Sequence, residues 1–409
     1  EQRIRLAKRI ATVQQQNMSD LDGAIGTYRR ILEWTPNDQM ALAALDTLLS
    51  ETEQWHDLLP ILDQQAALAE SEETLVFGLR KANVYASELS DAASAINVLR
   101  ELLASDRNET RVHAALEALV RDSGSREDAF SVLDTVLVER EEFERLIVLL
   151  DVLVSHREEA SGRIEALHRM GSLTEEKLQD ASRAFVCFGR ALREDPEHVG
   201  SMAEVERLAA ANGFWEELVT LLGNVSEETA NPETQQTLRL RAGEILKDEV
   251  EDLDRAIASY CALLEDHGDL PAALEALDEL YLRAERWADL QGVLQLQADT
   301  AATADERVGL FMRLAENAEH RLNNAEEAVQ FYTEVFYVDA SNAAVLAQLE
   351  RLAKNGVQTE LVTGLLLPVF SEQESWDKVH DVLELRLGCI DDPVDRGELL
   401  RRLGAINLE

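Results

Sequence analysis

The chain has 409 residues, with 39 Lys and Arg against 79 Asp and Glu, for a net charge of −40. That charge speaks against nucleic-acid and anionic-membrane binding, both of which need a basic face, and a hydrophobic content of 46% speaks against disorder. Only 7 prolines, with 19 glycines, interrupt runs rich in Ala, Leu, Glu and Arg, so the composition predicts an all-α chain too long for one compact core.

In chain order, a first helix is expected from about Arg3 to Gln16, followed by a turn at 17–20 and a second helix carrying Ala24, Tyr28 and Ile31, closed by Pro36. Positions four and seven apart share one helix face, and a proline cannot continue the helix. A third helix is expected from Met40 to about Thr52, and a fourth opens at Trp55 and runs to about Ala69. These four helices make one unit of two hairpins.

The small–aromatic frame of the second helix then recurs. It reads Ala184, Phe188, Ala191 and Pro196; Ala256, Tyr260 and Leu263; Ala328, Tyr332 and Val335; and, in degenerate form, Ala95, Leu99 and Leu102. A small residue stands thirteen places before each anchor alanine, at Ala11, Ala82, Gly171, Gly243 and Ala315, and once more at Gly404. The markers are spaced 71, 89, 72, 72 and 89 residues apart, and half of 72 lies in the range of helical repeats.

The two long intervals predict one extra helix each, near Arg126–Glu139 and Thr359–Glu372. Trp55, Trp215 and Trp287 lie 31 after their anchors, whereas in the long units the equivalent motifs, at Phe143 and Trp376, come 17 later than that. Because an odd helix changes the direction of an antiparallel stack, these segments are expected to be irregular joints. The expected organisation is one continuous array over 1–409, in units of about 1–71, 72–156, 157–231, 232–303, 304–391 and a truncated 392–409. Periodicity already running at Glu1 suggests a piece of a longer chain.

Four residues before each anchor stand Asp20, Asp91, Asp180, Asp252 and Asn324, residues suited to capping a helix N-terminus. The aromatics Tyr28, Phe188, Tyr260 and Tyr332 are expected to be core rather than a stacking platform for bases. Cys187, Cys261 and Cys389 are too scattered for disulfides or zinc, and they slightly favour a reducing, cytoplasmic setting. Histidines such as His56, His113, His156 and His168 read as exposed or capping residues. No catalytic site, metal or cofactor is expected. The longest apolar run, Leu361 to Phe370, is too short to cross a bilayer.

The frame resembles the second helix of the tetratricopeptide repeat (TPR), whose four small, aromatic, small and proline places are filled by Ala184, Phe188, Ala191 and Pro196. Leu403-Gly404 is similar to the Leu-Gly pair of that family's first helix, and Gly171 and Gly243 match its glycine. The period of 36 rather than 34 and the extra helices depart from the family. The resemblance implies a right-handed α-solenoid of stacked antiparallel hairpins whose groove binds peptides or proteins without catalysis.

An arginine stands two residues before every small marker, at Arg9, Arg80, Arg169, Arg241, Arg313 and Arg402, and an acid stands 22 after every anchor, at Asp46, Glu117, Glu206, Asp278 and Glu350. The helices that carry them open successive hairpins. This pattern predicts a structural ladder of Arg–carboxylate pairs, the fork of the guanidinium matching a carboxylate; the alternative is that the arginines line the groove and bind acidic ligands. The function expected from the sequence is a scaffold or adaptor for one or more proteins, for which a basic partner is compatible. The alternatives are a spacer in a large assembly, such as an envelope or motility machine, and the substrate-recruiting part of an enzyme whose catalytic domain lies elsewhere.

Overall fold

The computed structural model describes residues 1–16, 20–106, 109–122, 124–390 and 392–406. Most of the turn expected at 17–20 therefore lies outside the described residues. The described residues are helical and contain no strand. The chain divides into two compact units, Glu1–Asn212 and Gly213–Glu409, a boundary that falls inside the repeat expected over 157–231.

The first unit holds α1 (Gln2–Gln16), α2 (Leu21–Trp34), α3 (Gln39–Glu51), α4 (Trp55–Leu68), α5 (Ser71–Asn83), α6 (Ala92–Ser105), α7 (Thr110–Asp122), α8 (Arg126–Glu139), α9 (Phe143–His156), α10 (Ala160–Glu176), α11 (Ala181–Glu194) and α12 (Val199–Asn212). A π-helical turn, Val84–Glu88, continues α5. The second unit holds α13 (Trp215–Glu228), α14 (Pro232–Asp248), α15 (Leu253–His267), α16 (Pro271–Arg283), α17 (Trp287–Thr300), α18 (Ala304–His320), α19 (Ala325–Val338), α20 (Ala343–Lys354), α21 (Thr359–Glu372), α22 (Trp376–Cys389) and α23 (Pro393–Ile406). Within each unit every helix packs against the helices before and after it in sequence, and the short connections make neighbours antiparallel. The two extra helices expected from the long intervals are α8 and α21.

The five Asp and Asn residues before the anchor helices cap them. Asp20, Asp91, Asp180, Asp252 and Asn324 each accept a hydrogen bond from the backbone N–H three residues on, satisfying a donor that the first helical turn leaves free. The residue before four of these caps has left-handed backbone, at Ser90, Gln179, Glu251 and Asn323. The turns two residues before the Trp and Phe helices do the same at Glu53, Glu141, Gly213, Glu285 and Glu374. Each non-glycine residue so placed costs on the order of 1–2 kcal/mol, and the recurrence shows that the tight turn into each helix repeats with the period of the sequence.

The core follows the anchor frame. Ala24, Ala95, Ala184, Ala256 and Ala328 are all 0% exposed, and Tyr28, Phe188, Tyr260 and Tyr332 are buried beside them. The small markers explain the packing. A Cβ on Gly171 would stand 2.6 Å from Cζ of Phe188, and one on Gly243 would stand 2.7 Å from Cζ of Tyr260. The first helix of the hairpin thus lets the tip of the aromatic ring of the second approach its backbone closely. Removal from water raises the Tyr332 phenol to about 12, ahead of the smaller push from Glu319 and Glu316.

Two of the named histidines depart from expectation: His168 is half-buried inside α10 and bonded to Ser201, and His113 departs further. His113 is fully buried rather than exposed or capping, because it follows Val112 on the same inward face of α7 that carries Leu116 and Val120.

Candidate interaction surface

The arginine frame places its side chains on the first helix of each repeat, and three of the six, Arg80, Arg169 and Arg313, pair with a carboxylate two helices earlier. Arg80 on α5 donates from Nη1 to Oδ2 of Asp46 on α3 at 2.6 Å, and from Nη2 to Oγ of Ser50 at 2.9 Å. Arg313 on α18 grips Asp278 on α16 with two bonds of 2.7 Å, and these bonds, more than burial, set the direction in which its pKa moves, upward.

The long repeat breaks the expected partnership. Arg169 on α10 pairs with Asp134 on α8, not with Glu117. Glu117 on α7 instead meets Arg145 on α9 and Arg121 on its own helix. The reason is parity. Helices two apart face each other along the stack, and the extra helix places Glu117 and Arg169 three apart. The same shift separates Glu350 on α20 from Arg402 on α23. Glu350 takes Lys354 at 2.7 Å, and Arg402 is exposed. Arg9 is exposed on α1, with no helix two before it in the 409 residues. Glu206 belongs to the first compact unit and Arg241 to the second, where Arg241 pairs with Glu244 at 2.8 Å.

Two further ladders escaped the sequence reading. Arg183 and Arg255, each just before an anchor alanine, make two-pronged bonds to Glu144 and Glu216, the second residues of α9 and α13. Both pairs span 39 residues and sit 72 apart. The hydrogen bonds hold the two carboxyls below their ordinary range and raise both guanidiniums. Arg207–Glu175 and Arg351–Glu319 form another pair of rungs, each spanning 32 residues. The repeating offset was the available signal, hidden because acids are so frequent that any arginine has one at many spacings.

Replacing Asp278 with alanine is expected to lower the stability of the second unit by about 1–2 kcal/mol. The Arg313 side chain is 42% exposed, so solvent compensates part of the loss. Urea unfolding of the variant against the parent reads it.

One polar cluster is built differently. Ser201 is 0% exposed. Its backbone N–H donates to Nδ1 of His198 at 3.0 Å, which fixes that nitrogen as an acceptor. The Ser201 hydroxyl, 2.8 Å from the same nitrogen, then donates to it and accepts from Nε2–H of His168, also at 2.8 Å. Burial, followed by the nearby His198, pushes the pKa of His168 down from its ordinary 6.5, with Glu204 opposing weakly. The folded state therefore binds fewer protons than the unfolded state between the lowered value and 6.5. Stability rises with pH across that window and is lost as pH falls through it. Thermal unfolding between pH 5 and 7 is expected to show this slope in the parent and to lose it in His168→Gln, with pH values chosen to bracket the histidine range.

Among the described residues no cluster of three or more His, Cys, Asp or Glu is placed to hold a metal, and no helix is long and apolar enough to cross a membrane.

The close seating of Gly171 on Phe188 and of Gly243 on Tyr260, repeated with the buried anchor alanines, decides the fold class. The fold is an all-α helical repeat, and its packing resembles the TPR pattern. No protein-family model matches the chain, and no curated protein matches it. Among solved structures the chain is similar to yeast Tom70, at 10% identity over 100% of this chain and 96% of that one, with a TM-score of 0.24. It is similar to Naa15/Naa10 bound to HypK-THB, at 10% identity over 98% and 68% with a TM-score of 0.27, and to the P58(IPK) TPR domain, at 12% identity over 98% and 98% with a TM-score of 0.21.

Proposed function

We propose that this TPR-like array is a scaffold that holds other proteins, and that its partners present basic surfaces. The observation that carries the reading is how the charges are spent. The cations at repeat positions Arg80, Arg183, Arg255, Arg313 and Arg351 are committed to carboxylates of neighbouring helices. With twice as many acids as bases in the chain, the charge left for a partner is negative along the helices. Such a surface steers basic partners and repels acidic ones.

Affinity capture from native lysate at about 50 mM and about 300 mM salt tests it, since the Debye length shortens across that range. The expected partners are rich in Lys and Arg and are lost at the higher salt. Recovery of partners of acidic character, or of none at the lower salt, counts against the reading.

A second reading, that the array also sets a distance in an assembly, is favoured by the duplication that places α8 and α21 at the same point of two blocks offset by 233 residues. Deleting one block is expected to change geometry while preserving partners if spacing is the role.

A further inference from the structure

The corner where α3, α4 and α5 meet holds an open cavity of about 190 Å³. That is room for roughly six waters, below the range of about 300–1,000 Å³ of small-molecule sites and close to the size of one long side chain. Leu42, Leu68 and Phe77 give it apolar walls, and Gln65 and Glu73 give it polar groups.

Both polar groups are uncommitted. Oε1 of Gln65 is buried and has no hydrogen-bond partner, an acceptor whose lost hydration nothing replaces. The terminal torsion of a glutamine amide is broad, so a small turn presents that oxygen to a donor entering the cavity. Glu73 is exposed in the first turn of α5 and makes no ion pair among the described residues. Its counterpart 233 residues later, Glu306, is committed, because it closes a capping box by accepting the backbone N–H of Thr303 at 3.2 Å. The N-cap of α5 is Glu70, whose side chain makes no cap bond, so Glu73 is not drawn back in that way. Since α4 ends and α5 begins at this corner, the negative end of one helix offsets the positive end of the next, and the carboxylates set the sign of the local charge. Glu72 is paired with Arg111 at 3.0 Å, which leaves Glu73 as the free acid at the cavity.

We propose that this cavity binds an arginine side chain of a partner protein. The carbon stem lies along Leu42 and Leu68, the guanidinium rests against the half-buried Phe77 ring, and its N–H groups donate to the Glu73 carboxylate and the Gln65 oxygen. Arginine suits the cavity better than lysine. Its flat, weakly hydrated head stacks on an aromatic face and reaches two acceptors at once, whereas an ammonium gives up a stronger hydration shell. The surplus acid of the chain favours a cation over a neutral side chain of the same length. The inference rests on the reading of the array as a scaffold for basic partners, and it names where one basic residue is held.

Saturation-transfer NMR titration of N-acetyl-arginine methylamide onto the 409-residue chain tests it, with the citrulline and lysine analogues as comparisons. The arginine probe is expected to bind with a dissociation constant on the order of 1 mM, as suits a single side chain. The citrulline analogue, equal in length but neutral, should bind roughly tenfold more weakly, and the lysine analogue roughly threefold more weakly. Glu73→Gln should weaken the arginine probe roughly fivefold or more and Gln65→Leu roughly threefold. Glu73 is exposed, so the thermal midpoint of its variant should match the parent. Glu306→Gln removes the same charge at the counterpart position and should leave the affinity unchanged. No saturable binding, equal binding of the citrulline analogue, or equal losses in Glu73→Gln and Glu306→Gln would overturn the site, the last by showing only diffuse attraction to an acidic chain. Lysine binding as tightly as arginine would overturn the choice of residue. The scaffold reading fails on a different result, the recovery of no basic partner by the parent chain from native lysate. A captured basic partner alongside a failed arginine titration removes this site and leaves the scaffold standing.

Discussion

Replacing Phe188 with alanine is expected to destabilise the first unit by about 3–5 kcal/mol. The ring is 2% exposed, and its tip approaches α10 where Gly171 has no side chain. It also meets the edge of His168 at a centroid distance of 5.1 Å. Alanine removes all of that contact and leaves a cavity in the hairpin. Urea unfolding followed by far-ultraviolet circular dichroism reads the loss. A cost under about 1 kcal/mol, the range of surface changes, would mean that the ring is not the hairpin's anchor.

Replacing Gly243 with leucine is expected to destabilise the second unit by roughly 3 kcal/mol, the upper end for overpacking a tight core. The added Cβ alone would stand 2.7 Å from Cζ of Tyr260 and 3.0 Å from Cε1, and the backbone of α14 lies behind it. Tyr260→Ala on its own is expected to cost a comparable amount by leaving a void. Combined, the two changes should cost clearly less than their sum, because the leucine enters the space the ring vacates. Additive costs in the double-mutant cycle would show that the two positions do not touch. Gly309, also inside a helix but with nothing within 4 Å, provides the contrast. There alanine is expected to stabilise by about 0.5–1 kcal/mol through helix propensity alone.

These two positions show why so much of the fold was legible. Anchor alanines, aromatics and small markers recur because one packing solution is used over and over, and each copy repeats the same steric demand. The Asp and Asn caps were readable for the same reason, since one backbone geometry calls for one short acceptor. The extra helices, α8 and α21, announced themselves as a 17-residue displacement of the Phe143 and Trp376 motifs.

The charge pairs were harder to read. Sequence spacing gives register along the chain, but partners are chosen across the stack. Where each repeat has four helices, as between Asp46 and Arg80 or between Asp278 and Arg313, register and stacking agree. One additional helix changes which helices face each other, so Arg169 turned to Asp134, and Arg402 was separated from Glu350. His113 was misread because a polar residue inside an apolar stripe is judged by type, whereas the helix face decides its burial. The boundary after Asn212 has no counterpart in the repeat pattern.

Whether the surplus acid of the array binds protein is read directly by zero-length carbodiimide cross-linking in native lysate at low salt, which joins lysines to carboxylates in contact. Lys81–Asp63 and Lys247–Glu279, at 2.6 and 2.9 Å, serve as internal controls. The scaffold reading predicts cross-links from partner lysines to acids on at least two hairpins of the chain, fading as salt is raised. Recovery of the internal links alone, with no partner peptide attached at any salt, would contradict it.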